Sequence, residues 1–218
     1  TNPNEDFSKP AIIIANHTSF LDTLAIAMAT HKIVYLVNDW VYDSPVFGKL
    51  VKALGFFPVS QGIENGKEKL KEKIDQGYSL VVFPEAERSY TNDVKRFHKG
   101  AFYLAEEFGL DILPLYIHGN SEVLPKGDFV IYDGNIIVKV GERISKDDLS
   151  FGTTFKERTK KINAYFRDEF AKMRTEIEDE NYFKKQLFLS FLYKETEIVK
   201  EVKQDFNTNK SVYFELNK

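Results

Sequence analysis

Two unbroken apolar runs, Ala11-Ile12-Ile13-Ile14-Ala15 and Leu80-Val81-Val82-Phe83, constrain this chain most. A strand with one wet face alternates apolar and polar residues. A run without alternation reads as a strand covered on both faces. Ile33–Val37, Ile112–Ile117 and a short extended segment at Gly55–Val59 add further strands. Helical patterns fall between them. One starts near Ser19 and carries Phe20, Leu21, Leu24, Ile26, Ala27 and Met28. Others cover Pro45–Leu54, Asn65–Asp75 with Gly77 as terminator, and His98–Phe108 with Gly109 as terminator. Strands alternating with helices predict an α/β fold with a largely parallel sheet flanked by helices. Phe129–Tyr132 and Ile136–Val140 flank Asp133-Gly134-Asn135, a hairpin signal that makes the sheet mixed. Pro114 has no N–H to donate, which places it at an edge, a strand start or a bulge. From Thr153 to Asn207 the pattern is helical and charged. Residues 1–150 are expected to form the core. Residues 151–218 are expected to form a helical extension that packs on it or links to a further domain.

The 218 residues suit one domain of ordinary size, and 43% apolar content suits a folded core. A net charge of −3 argues against nucleic acid as a partner. The absence of cysteine excludes disulfides, thiolate catalysis and cysteine-based zinc sites. Four scattered histidines with no His-x-x-x-His pair give no metal-site pattern, so neither metal nor cofactor is expected. No apolar stretch reaches the roughly 18–20 residues that cross a bilayer. The chain starts at Thr1 and ends in a polar tail, which reads as one domain of a larger polypeptide.

The sharpest local feature is Asn16-His17-Thr18-Ser19-Phe20-Leu21-Asp22, where a buried strand feeds a helix. Ligands of open α/β sheets bind beyond the carboxyl ends of strands. His17 sits at such an end, and Asp22 falls in the first turn of the next helix. A protonated hydroxyl is a poor nucleophile, and an imidazole is the side chain suited to take its proton near neutral pH. A carboxylate on the other ring nitrogen fixes the tautomer and stabilises the imidazolium. Backbone amides at the helix start are candidates for stabilising an oxyanion. The plainer reading is a capping box, Ser19-x-x-Asp22, with Asp22 serving the helix start. One aspartate is able to do both.

Four blocks follow one another along the chain. They are Asn16-His17-x-x-x-x-Asp22, Leu54-Gly55-Phe56-Phe57-Pro58-Val59, Phe83-Pro84-Glu85-Ala86-Glu87-Arg88-Ser89 with Phe97-His98-Lys99-Gly100-Ala101-Phe102, and Ile112-Leu113-Pro114-Leu115. In this order they resemble the glycerolipid (lysophospholipid) acyltransferase family over about residues 10–145. The resemblance implies a mixed sheet at one membrane face, peripheral or tethered through a larger polypeptide, on the cytoplasmic side. It implies transfer of an acyl group from acyl-CoA or acyl-carrier protein to a hydroxyl of a lipid-like acceptor. It gives His17 and Asp22 the catalytic roles. It gives Glu85, Arg88, Ser89 and Lys99 acceptor binding, and places Asn16, Pro84 and Pro114 beside the site.

Departures accompany the match. Ala86 and Glu87 stand where the family pattern has Gly and Thr. Ser60 and Gln61 lie where it has a phosphate-gripping Arg. Both changes weaken a phosphate site, so the acceptor is expected to include non-phosphorylated lipids. A second resemblance is to acyltransferase domains fused to exporter and methyltransferase regions in bacterial polypeptides. It implies an aryl polyene or resorcinol-type hydroxyl. Two rival readings remain open: a catalytically silent lipid-binding module serving a neighbouring domain, and a thioesterase using the same pair.

His31 reads as a partner of a helix C-terminus, His98 as a helix-start residue beside the third block, and His118 as a strand-end residue near the same face. Tyr182–Lys194 mixes aromatics with lysines and reads as an amphipathic helix that docks on the core or lies in a membrane interface.

Overall fold

The computed structural model describes residues 5–45, 48–53, 55–58, 63–90, 93–127 and 130–183. Six strands form one sheet in the order β3-β2-β4-β1-β5-β6. They are β1 (Ala11–Ala15), β2 (Ile33–Val37), β3 (Phe57–Pro58), β4 (Ser79–Val82), β5 (Asp111–His118) and β6 (Ile137–Val140). The first five are parallel, and β6 runs antiparallel to β5. The helices are α1 (Leu21–Ala29), α2 (Asp39–Tyr42), α3 (Gly48–Ala53), α4 (Ile63–Asp75), α5 (Gly100–Phe108), α6 (Asn120–Val123) and α7 (Phe155–Ile177). The architecture is the mixed, mostly parallel α/β sheet with flanking helices that the apolar runs imply.

All five residues of β1 are fully buried. The strand lies between β4 and β5, with Ile13 opposite both Val81 and Leu113. Its unbroken apolar run is the consequence of having neighbours on both edges and cover on both faces. Ile26 of α1 and Tyr35 of β2 join the same core cluster. Across α1 the buried residues are Asp22, Ala25 and Ile26. Phe20, Leu24 and Met28 instead stay 42%, 58% and 78% exposed, and their spacing of four residues sets them on one side of the helix.

The expected hairpin needs correction, and the reading of Pro114 narrows to one of its three options. Residues 130–132 are not a strand, and Phe129 lies outside the described residues. The second half of the expected hairpin, β6, pairs with Leu115–His118 of β5 instead. The first half follows α6, with the Tyr132 N–H donating to the Val123 carbonyl at 2.8 Å. The β5 edge offers β6 a buried apolar partner, which an isolated two-stranded hairpin at the rim does not. Pro114 is neither at an edge nor at a strand start. It lies inside β5 with Ile14 in register on one side. On the other side Leu115 faces Val140 and Ile112 faces Ile144, so three steps of β5 oppose four of its partner. This is a bulge, the remaining option. The Gly141 N–H donates to the Pro114 carbonyl at 2.8 Å, and the ladder slips where proline lacks a donor.

The chain divides into two compact units, Thr1–Phe170 and Ala171–Lys218. In the first, Ile162, Phe166 and Phe170 of α7 are buried at a spacing of four residues, and the Phe166 ring lies 4.5 Å from that of Tyr116 on β5. In the second, Arg174 pairs with Glu178 at 2.7 Å. Residues 184–218 lie outside the described residues, and with them most of the Tyr182–Lys194 stretch. No described helix is long and apolar enough to cross a membrane.

Candidate active site

The strand-to-helix junction after β1 brings the sequence-predicted pair together. His17 Nδ1 lies 2.8 Å from Asp22 Oδ2. Asp22 is fully buried, whereas the His17 side chain is 19% exposed. The imidazole stacks on Phe83 at 4.1 Å between centroids and 16° between planes. That ring fixes the plane in which Nε2 points. With Nδ1 donating to the carboxylate, Nε2 is the acceptor nitrogen, and it has no protein partner among the described residues.

Asp22 is held by more than the histidine. Its Oδ2 also accepts from the Thr18 N–H at 2.7 Å and the Ser19 N–H at 2.9 Å. Half of the capping box is therefore present. The other half is not: Ser19 Oγ donates to the Leu124 carbonyl at 2.8 Å and accepts from the Leu21 N–H. Asp22 Oδ1 accepts from Asn120 Nδ2 at 2.6 Å. Asn120 is fully buried at the start of α6 and was not legible as a site residue, since no motif marks it.

These contacts narrow the expectation about an oxyanion site. The amides of Thr18 and Ser19 face Asp22, and that of His17 donates to Glu85 Oε1 at 2.8 Å. None of the three is available to a reacting carbonyl oxygen.

Glu85 is buried, with Oε1 on the His17 N–H and Oε2 accepting from the Lys95 N–H at 2.7 Å. Both of its oxygens are engaged by main chain, so the geometry gives it a positioning task. Burial pushes its carboxyl above the usual range, against the opposing pull of the two backbone hydrogen bonds. Pro84 is buried, and its carbonyl accepts from the His98 N–H at 2.7 Å. Ser89 is buried and its N–H donates to the His17 carbonyl at 2.7 Å. Asn16 is buried too. Its Nδ2 donates to the Ile117 carbonyl and its Oδ1 accepts from the Ile117 N–H, each at 2.8 Å, so the side chain extends the β1–β5 ladder past the end of β1.

Ala86 has φ 61°, the only non-glycine residue with positive φ among those described. The left-handed region suits glycine and strains alanine by roughly 1–2 kcal/mol. The turn thus keeps a glycine's shape at the position where the third block departs from the family pattern. The Arg88 guanidinium lies 3.8 Å from the Phe20 ring centroid. Burial pushes it below its ordinary pKa, while the Asp22 charge pulls the other way. Lys99 is exposed at the N-cap of α5 and lines an open cleft with residues of α7. His118 is buried at the end of β5, and His31 lies beyond the Thr30 cap of α1. Ser60 and Gln61 lie outside the described residues.

The comparisons with known proteins bear on family and fold. The family model "Acyltransferase" matches residues 2–118, more than half of the chain. The chloroplastic 1-acyl-sn-glycerol-3-phosphate acyltransferase LPAT1 of Arabidopsis thaliana is 26% identical over 147 residues, 64% of this chain and 41% of that protein. The 1-acyl-sn-glycerol-3-phosphate acyltransferase of Saccharomyces cerevisiae is 29% identical over 159 residues, 65% of this chain and 50% of its own length. The chain thus spans about half the length of these curated relatives or less. The crystal structure of PlsC, the 1-acyl-sn-glycerophosphate (LPA) acyltransferase from Thermotoga maritima, shares the fold with a TM-score of 0.64 at 22% identity, covering 79% of this chain and 69% of that one. By its blocks, its sheet and the match over residues 2–118, the chain belongs to the acyltransferase family.

Proposed function

We propose that this chain is an O-acyltransferase that moves a fatty acyl group from an acyl thioester to the hydroxyl of a lipid-like acceptor. The observation that carries the reading is the His17 Nδ1–Asp22 Oδ2 contact at 2.8 Å, with Nε2 left as the accepting nitrogen. In the proposed reaction Nε2 takes the acceptor's hydroxyl proton as the oxygen attacks the thioester carbonyl. Asp22 stabilises the imidazolium. The tetrahedral intermediate collapses, the C–S bond breaks, and the departing thiolate receives the proton from Nε2. An ester and a free thiol leave. The acyl group arrives already activated, so no acyl-enzyme is needed.

Arg88, close enough to Asp22 to feel its charge, is assigned to the acceptor side with Ser89. The acceptor is assigned as a lysophospholipid or, given Ala86 and Glu87, a non-phosphorylated lipid or aryl hydroxyl. The exposed Phe20, Leu24 and Met28 beside the catalytic junction support presentation of that acceptor from a membrane surface, with the protein peripheral to it. The test is turnover of acyl-CoA with candidate acceptors, followed by mass spectrometry of the ester. His17→Ala is expected to lower kcat by about 10²–10⁴-fold, the usual worth of a general base, with the thermal midpoint little changed. Wild-type turnover in that variant removes the mechanism.

A further inference from the structure

Residues 83–90 belong to neither helix nor strand. No ladder holds this segment, so each residue is fixed by the contacts it makes singly. Glu85 is fixed by the His17 and Lys95 N–H groups, and Ser89 by the His17 carbonyl. Arg88 stands between them and has two anchors of its own. Its guanidinium rests on the Phe20 ring at 3.8 Å. Its carbonyl accepts from Lys126 Nζ at 2.8 Å, a donor 38 residues away in sequence. Among the described residues the guanidinium itself makes no hydrogen bond or ion pair. Its N–H donors are left for a ligand.

Lys126 is not a loose surface side chain. It is half-buried, and its Nζ also lies 3.9 Å from the Tyr90 ring centroid. One ammonium therefore grips the residues on either side of Ser89. The neighbouring acid, Glu87, is held by Lys95 Nζ at 2.6 Å and does not draw Lys126 away. The main chain that carries Lys126 is anchored too. Two residues earlier, the Leu124 carbonyl accepts from Ser19 Oγ at 2.8 Å. Asn120, near the start of the same segment, holds Asp22. Residues 119–127 thus reach both the catalytic pair and the turn that bears Arg88.

We infer that Lys126 is a positioning residue for the acceptor: by holding the Arg88 carbonyl and the Tyr90 ring, it fixes the turn from which the Arg88 guanidinium meets the acceptor. The inference rests on the proposed acyl transfer and adds to it a residue that none of the four sequence blocks contains. Lys126 does not itself touch the acceptor. A side chain held in place beforehand loses less freedom when its ligand arrives. Loss of the clamp should therefore weaken acceptor binding and leave the chemical step alone.

The test is steady-state kinetics with acyl-CoA as donor and 1-acylglycerol 3-phosphate and 1-acylglycerol as acceptor probes, read on whichever is turned over faster. Calorimetric binding of both probes without donor runs beside it. Lys126→Met removes the charge and keeps an apolar stem on Tyr90. It is expected to raise the acceptor KM about tenfold, the usual worth of a hydrogen bond from a charged donor. Its kcat and donor KM should stay within about twofold of wild type. Lys126→Arg keeps a cation on the ring and a donor for the carbonyl, so it is expected to restore most of the lost affinity. Arg88→Met supplies the deciding comparison. Adding Lys126→Met to it should change the acceptor KM by less than about twofold, because the clamp has nothing left to position. Factors that multiply in the double variant overturn the inference, since Lys126 would then act other than through Arg88. So does an unchanged acceptor KM in Lys126→Met, or a rise that Lys126→Arg leaves in place. Probe binding that weakens in Lys126→Met but not further in the double variant, with no ester formed by wild type, sinks the proposed reaction and leaves the clamp standing. A wild type that transfers acyl groups while Lys126→Met matches it sinks the clamp alone. A wild type that binds neither probe and forms no ester refutes both.

Discussion

At Asp22 a single buried carboxylate accepts hydrogen bonds from His17, Thr18, Ser19 and Asn120. A group so tethered cannot rotate away from the imidazole, which is what orienting a general base requires. Three of the four donors are within five residues of Asp22, and the block itself makes them legible. Asn120 is 98 residues away. Only the fold delivers it, and its own Oδ1 is buried without a partner among the described residues. A hydrogen bond to a charged group is worth about 1.5–3 kcal/mol. Asn120→Ala is therefore expected to lower kcat by about 10–100-fold. The KM values of donor and acceptor should stay within twofold. A kcat unchanged from wild type would show that Asn120 does not position Asp22.

The junction between β5 and α6 is the element that places Asn120. It turns at Gly119, with φ 89°, and a Cβ there would lie 1.9 Å from the Asn135 carbonyl oxygen. That neighbour is main chain and cannot step aside. Gly119→Ala combines a left-handed strain with a backbone collision, so it is expected to destabilise the protein by more than about 2 kcal/mol. The measurement is urea denaturation, with a loss of kcat at a temperature where the variant stays folded. A midpoint equal to that of wild type would refute the reading. Elements of this kind also show where sequence patterning runs out. The β-branched apolar run in Ile136–Val140 marks a strand but not its partner. Register and neighbour are settled by which sheet edge is open, and the β5 edge won over a local turn.

Across the whole molecule, Glu85 ties β1's end to the loop at Lys95, and through that loop to α7. Burial raises its carboxyl pKa above the ordinary glutamate value of 4.5. The native state then keeps the proton to higher pH than the unfolded chain does. Between 4.5 and the raised value the unfolded state binds fewer protons, so this group's contribution to stability falls as pH rises. In denaturation series from pH 4 to 7, the stability of wild type relative to Glu85→Gln is expected to decline over that window. A difference that grows toward neutral pH would mean that the two backbone donors outweigh burial.

The sequence by itself determined the buried parallel strands, the junction that follows the first of them, and the pairing of His17 with Asp22. These are short-range consequences of apolar periodicity and of a strand-to-helix turn that sets His17 and Asp22 five residues apart. Tertiary structure alone decided that Asn120 grips Asp22 and that Glu85 is consumed by main chain. It also decided that β6 joins β5 and that Lys156 faces Lys99 across a cleft. Each of these joins residues far apart in the chain, and local pattern has no term for distance in space. Burial and sheet order supply it.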